Sequence, residues 1–483
     1  MKPKKFWGVL ALAALLFASC ASAPGKTDKS SESEKISKKD GNSKYLAALD
    51  AGRYDDAIKI LGKIKKDRKN QIRDNYDLAM LYHLSGNYNA SLELMGLTDR
   101  QMDDAVTKSI SRGIAAAMIN ENSTEYEGNP YEYIYINIFN AFNYLNLGNE
   151  EDAAVEIRRM NDKQKTYLVK YGEVLMADDN YNSDSGVQEA YKSLKINPAD
   201  IDGRAPAKPT QADIFKDSPA ARYMSLLMYM MEGDKSNAEL DARILNALNQ
   251  SFDTKSELEI SRGKGRLDVV SFTDMIGRRE EERIVIGPFP TIPFSVNKII
   301  VTIPEFDIEF VYPKFSHVDR SAVTAVKMIV NGQEKILPLL EDFNYAVQKD
   351  VKSKANKAYG RSVRRSLAKK LSAVTAGAGS VVAAQIAAEQ ADNPIAIAIT
   401  KAAAVAAIVA LPPAIEAVDK TETADIRQVY ALPGKAYAGG FELEPGTYDV
   451  TVQYLSGSKV ISEKSYSGIR VRANKPTVIE SLP

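Results

Sequence analysis

Leu147 to Arg159 read LGNEEDAAVEIRR: four carboxylates, two adjacent arginines and an alanine pair behind a single glycine. Taken as chemistry, the stretch offers paired acids beside a guanidinium clamp. Taken as architecture, it is a helix restarting after a tight turn. Three other stretches settle the reading: AGRYDDAI from Ala51, SGNYNASL from Ser85 and EGDKSNAE from Glu232. Their glycines are Gly52, Gly86, Gly148 and Gly233, and five residues after each comes a small residue, Ala57, Ser91, Ala153 or Ala238. Four residues before the last three glycines stand Tyr82, Tyr144 and Tyr229, and nine after each glycine stand Leu61, Met95, Ile157 and Ala242.

Residue types in this register suit a pair of antiparallel helices. Glycine permits the sharp turn, the small residue lets the second helix approach the first, and the tyrosine packs into the crossing. Glu150, Glu151 and Asp152 then fall at the positive end of the second helix, where acids are favourable. Glu156, Arg158 and Arg159 follow on turns expected to face solvent. The first two glycines are 34 residues apart, the tetratricopeptide (TPR) period. The later gaps of 62 and 85 residues predict an irregular array. NPYEYIYINIFNAFNYL, from Asn129, is unusually aromatic and reads as a helix core, with a tyrosine-lined groove as the competing interpretation.

At the other end of the size scale, 483 residues suffice for several cores. Lys2, Lys4 and Lys5 precede an apolar run of signal-peptide length that stops at FASC. Cys20, the only cysteine, stands where a bacterial lipoprotein carries its lipid, although Phe17 replaces the usual leucine. Residues 1–20 are therefore expected to be a lipoprotein leader, with Cys20 as the lipidated residue. Pro24 disfavours the alternative cleavage after Ala23. The leader takes three of the 63 basic residues with it, leaving a net charge of −3 and no global field for nucleic acid. Residues 21–44 are nearly devoid of apolar side chains and read as a disordered tether. Ala21 carries no acidic retention signal, which directs the expectation to the outer membrane, facing the periplasm or the surface.

After residue 250 the pattern changes. RLDVVSF, RIVIG, NKIIVTI and DIEFVY are short β-branched runs divided by Gly or Pro. AVKMIVNGQEKILPL predicts a hairpin turning at Asn331-Gly332. PGTYDVTVQYL alternates, with Tyr448, Val450, Val452 and Tyr454 on one face. Between the β stretches, residues 346–423 read as a helical insertion. Its first half is basic, with Arg361, Arg364, Arg365, Lys369 and Lys370 forming a candidate polyanion contact. Its second half is rich in alanine, and DNP at 392–394 should break it in two. Ile395 to Leu411 is at the short limit of a membrane span, and Lys401 interrupts it. A helix packed against the protein is the expectation there. The chain thus reads as α+β multidomain: TPR-like helical repeats over 45–250, then a β-sandwich-like domain in two parts, 251–345 and 424–483, flanking the Ala-rich helical insertion.

Three blocks resemble one known family. YEYIYINIFNAFNYLNLGNEEDAAVEIRRMN, GKGRLDVVSFTDMIGRREEERI and ADIRQVYALPGKAYAGGFELEPGTYDVTV are collinear over roughly residues 130–455. They look like the hallmarks of uncharacterised TPR-bearing bacterial envelope lipoproteins. The resemblance implies an outer-membrane lipoprotein of the periplasm and carries over no catalytic residues. With two histidines, His83 inside a repeat helix and His317 in FSHVDR, neither a His-rich zinc site nor a Cys–His pair is available. No phosphate-binding glycine motif occurs. The chain is expected to be no enzyme and to need no metal or cofactor. Its leading function class is a lipid-anchored scaffold that binds an envelope protein or peptide through the helical repeats. A peptidoglycan hydrolase or its regulator, and a membrane-inserting component of an envelope assembly, are the alternatives.

Overall fold

The computed structural model describes residues 38–483 except 65–66, 113–123, 178, 297–298, 319 and 391–393. The leader, Cys20 and the tether as far as residue 37 lie outside the described residues. Residues 38–44, read as tether, instead belong to the first helix. Their apolar neighbours Tyr45, Ala48 and Leu49 are buried and give that turn something to pack against.

Four helical hairpins form one layer: α1 (Lys38–Asp50) with α2 (Tyr54–Lys63), and α3 (Gln71–Leu84) with α4 (Tyr88–Arg112). Then come α5 (Pro130–Asn146) with α6 (Glu150–Met176), two short helices α7 (Ser185–Ser193) and α8 (Pro198–Asp202), and α9 (Pro219–Glu232) with α10 (Lys235–Leu248). A short α11 (Thr254–Leu258) leads into the strands. The four hairpins turn in the same way. Gly52, Gly86, Gly148 and Gly233 have φ of +66°, +77°, +77° and +81°. Each glycine N–H bonds three residues back, and the next residue's N–H bonds to the carbonyl five back. In three hairpins those carbonyls belong to Tyr82, Tyr144 and Tyr229, at 2.8, 2.9 and 2.8 Å. This is the Schellman closure of a helix end. The tyrosine side chains are only half-buried, so the recurring offset marks the carbonyl that the turn uses. Asn149 and Asp234 then serve at once as the last residue of this turn and as the side-chain cap of the next helix. Ala57, Ser91, Ala153 and Ala238 are buried.

Strands β1 (Gly265–Met275), β8 (Leu339–Asp342), β9 (Pro433–Leu443) and β12 (Pro476–Ser481) make one sheet in the order β12-β1-β9-β8, with β12 parallel to β1. A second sheet has the order β11-β10-β6-β7, from β6 (Ala325–Val330), β7 (Gln333–Leu337), β10 (Gly446–Ser456) and β11 (Lys459–Val471). Asn331 and Gly332 join β6 to β7 with φ of +49° and +75°, the backbone of a type I′ turn. Leu267 and Val269 on β1 share a core with Val326, Met328, Val450, Val452 and Tyr454 of the second sheet. Val270 and Phe272, on the opposite face of β1, pack on the helices.

α5 lies where these layers meet and is buried from Pro130 through Asn143, as a helix apolar on all sides must be. Its Phe139 and Phe142 rings sit 5.0 and 5.5 Å from Phe272, and Tyr135 lies 4.6 Å from Phe343. The tyrosine-lined groove does not form, because Tyr131, Tyr133 and Tyr135 are buried, Tyr135 against Phe215 and Phe343 and Tyr133 beneath Lys163.

Residues 424–432 cross this junction as an extended strap. The Val429 N–H donates to Glu132 at 2.8 Å, and the Tyr430 and Ala431 N–H groups both donate to Asp77, at 2.7 and 2.9 Å. The Gln428 side chain spans the Gly277 carbonyl and the Arg279 N–H, at 2.8 Å each. Buried carboxylates thus stand in for a neighbouring strand and satisfy donors that could not be left unpaired.

Candidate functional site

The segment read as an insertion forms two long helices between β8 and β9. α12 runs from Phe343 to Glu389 and α13 from Pro394 to Asp419. At 47 residues, α12 is about 70 Å long. Its first half packs on β5 (Phe306–Ser316), where the Ser362 hydroxyl accepts from Val311 N–H at 2.9 Å and the Ser366 hydroxyl donates to the Glu309 carbonyl at 2.9 Å. Its second half is paired with α13. Gly377 allows that approach: an added Cβ would stand 2.3 Å from Leu411 Cδ1. Val374, Ala378, Val381, Val382, Leu411 and Ile415 make the seam.

The candidate polyanion residues are engaged within the protein, which the reading from charge alone did not anticipate. Arg364 pairs with Asp179 at 2.5 Å. Arg365 and Lys369 converge on Glu422, at 3.2 and 2.5 Å. Lys370 is buried and donates to Asp419 at 2.7 Å and to the Ile415 carbonyl at 2.8 Å. Arg361 also has its own partners. Each of the partnering acids lies outside the basic run, and Asp419 and Glu422 stand opposite it only because the hairpin folds back. Pairing 365–370 with 415–422 as antiparallel helices is the sequence signal that would have found them.

The Ala-rich half is corrected in the opposite sense. Of the most apolar 18 residues of α13, 11% are buried, against 22% for the corresponding stretch of α12. Ile395, Ile399, Val405, Ile408 and Val409 are 50–75% exposed. The expected packed core helix is absent because α13 meets little except α12. Beside the hairpin runs a two-stranded ribbon, formed where β2 (Arg278–Phe289) and β5 continue into β3 (Ile292–Val296) and β4 (Ile299–Ile303). Ile286, Phe289, Ile292, Val301 and Ile303 share the hairpin's core, while Val285 and Ile300 face outward.

Charge is almost missing from this end. Residues 371–388, 394–415 and 284–304 contain two charged side chains, Lys401 and Lys298, in a chain that is 26% charged. Two segments distant in sequence have converged in space with the same deficit. Where it ends, ionic pairs begin at once. Besides the Lys370–Asp419 and Arg365–Glu422 pairs, Arg283 bonds Glu281 at 2.6 Å, Glu309, and the Glu422 carbonyl at 3.2 Å.

The other singled-out residues are structural. Glu150 is held by Arg472 at 2.6 Å, and the Asn149 side chain accepts from the Asp152 N–H at 3.1 Å, as helix-start groups should. Glu156 departs from the solvent-facing expectation: it is buried and accepts from Asn137 at 2.6 Å and Arg159 at 3.3 Å. Arg159 reaches on to Asp99, and Arg158 pairs with Glu232 at 2.6 Å. His83 is fully buried between Asn143 and Glu480, each 2.8 Å from a ring nitrogen. Burial opposes its charged form, but the Glu480 carboxylate and both hydrogen bonds outweigh it and raise the pKa above the ordinary value. Neither its pairing nor the strap's carboxylates had any signal in the sequence, since their partners are hundreds of residues away. Among the described residues no cluster of three potential metal ligands occurs. No family model, curated protein or solved structure matches the chain.

Proposed function

We propose that this protein is a membrane-inserting component of a bacterial envelope assembly, in which a folded body stands on a bilayer through its apolar end. The observation that carries this reading is the exposed, nearly charge-free helical hairpin with its ribbon, bounded abruptly by ion pairs. Burying exposed apolar surface in hydrocarbon is favourable, whereas leaving it in water invites aggregation. The leader and the family resemblance supply the envelope setting and add a lipid on Cys20 as a second attachment. In the same reading the glycine-centred hairpins are TPR-like repeats and the two facing sheets are a sandwich-like domain. The helices already hold parts of the chain itself: residues 429–431 bond Glu132 and Asp77, and Val270 and Phe272 of β1 pack among them.

The test uses protein lacking residues 1–20, so that neither leader nor lipid contributes. It should float with liposomes and resist extraction by alkaline carbonate. The double variant Ile399→Asp/Val409→Asp alters only exposed positions and should remain soluble and folded. Each aspartate adds about 2.5–3.5 kcal/mol to insertion. Wild-type protein that stays out of the floating fraction would overturn the proposal.

A further inference from the structure

The hairpin has three zones along its length. At the base are Lys369, Lys370, Glu416, Asp419 and Glu422. A band follows, covering 371–388 on α12 and 394–415 on α13. At the tip, α12 closes on Glu389 and Gln390, both exposed. The band measures about 27 Å on one helix and about 33 Å on the other, at 1.5 Å per residue. The hydrocarbon core of a bilayer is about 30 Å thick.

We infer that the hairpin crosses the bilayer completely and presents Glu389 and Gln390 to water on the far face. The inference rests on the membrane-seated reading and says how deep the seat goes. A hairpin entering one leaflet would leave those two polar side chains in hydrocarbon with no partner to satisfy them. Lys401 fits the full crossing. It is not at the middle of the band: it lies seven residues from Pro394, about 10 Å below the tip. Side chains on a helix lean toward its N terminus, and the N terminus of α13 is the tip. Its ammonium therefore extends toward the far headgroups, as lysines near span ends do. The seam includes Gly377, against which Leu411 packs, and Ala378, small residues of the kind that bring helices together in lipid. Pro288, Pro290 and Pro293, in β2, β3 and the link between them, have no N–H to leave unpaired in hydrocarbon along that edge of the ribbon.

The experiment uses the full chain carrying Cys20→Ser, so that an introduced thiol is the only one, added to preformed vesicles of phosphatidylethanolamine and phosphatidylglycerol. Gln390→Cys reports the tip and Lys420→Cys the base. A membrane-impermeant maleimide applied outside should label the base thiol and miss the tip thiol until detergent is added. The same reagent trapped in the lumen should label the tip. If the tip thiol is closed to both reagents until detergent is added, while the protein still floats with the vesicles, the crossing is overturned and the membrane seat survives. If the tip labels from outside as fast as the base, both fall.

Discussion

Gly148 shows what a single residue controls in this chain. Its φ of +77° lies in the left-handed region, and an added Cβ would meet nothing within 4 Å. The expected cost of Gly148→Ala is therefore backbone strain alone, about 1–2 kcal/mol. Urea denaturation measures it, and a loss well beyond that range would reveal a contact the geometry does not contain. Titration also acts at this scale. Burial raises Asp77 to about 7 and Glu341 to about 7, and lifts Glu257 well above the usual carboxyl range. In the unfolded chain these acids ionise near their ordinary values, so the folded state holds protons the unfolded state has released. Their contribution to stability then declines as pH climbs from the ordinary carboxyl range through 7. His83, also raised, adds a contribution that is complete below its unfolded pKa and lost as pH rises through the folded one. All four push in one direction. Half-buried acids with lowered values, such as Asp213 and Asp234, are ionised throughout that interval and do not oppose them. The melting temperature should be higher at about pH 5.5 than at about pH 8.5, and a rise across that interval would mean another group governs it.

Among the elements, the strap at 424–432 tests how the two halves hold together. Asp77→Ala strands the Tyr430 and Ala431 N–H groups in a buried site, at about 1–3 kcal/mol for each. Amide exchange at those two residues should accelerate sharply, and Asp77→Asn, which keeps an acceptor, should protect them far better. Exchange in Asp77→Ala as slow as in the unaltered protein would show that the carboxylate is not what pins the strap. This element was invisible in the sequence, whereas the helical hairpins were not. Gly52, Gly86, Gly148 and Gly233 announce themselves because turn chemistry is local, as it is at Asn331-Gly332. Alternation marks β10 for the same reason. The strap has no period, and Asp77 and Glu132 lie some 300 or more residues before the N–H groups they receive. The basic run of α12 misled because charge was counted along the chain, while Asp419 and Glu422 neutralise it across the fold. Ile395–Leu411 misled because composition gives the hydrophobicity of a helix and not what surrounds it.

In the whole molecule, helices and two sheets form a body from which α12 and α13 extend, with α12 tied to the rest of the chain by the Asp350–Arg279, Lys352–Asp213 and Arg364–Asp179 pairs. That division lets apolar surface accumulate at one end while the body retains its own cores. The pairing of β12 with β1 has a further consequence, in the order of events as the chain is made. β1 is complete by Met275, yet its neighbour β9 arrives only at residues 433–443 and its parallel neighbour β12 only at 476–481. Glu480, on that last strand, supplies the carboxylate for His83 and accepts from Asn146 at 2.7 Å. A growing chain therefore carries an unclosed central strand for some two hundred residues, and His83 waits 397 residues for its counter-charge. Both α12 and α13 emerge during that interval, before the body can close. A chain cut short before Pro476 therefore lacks the parallel neighbour of β1 and the carboxylate that faces His83, so this side of the sheet closes late in synthesis.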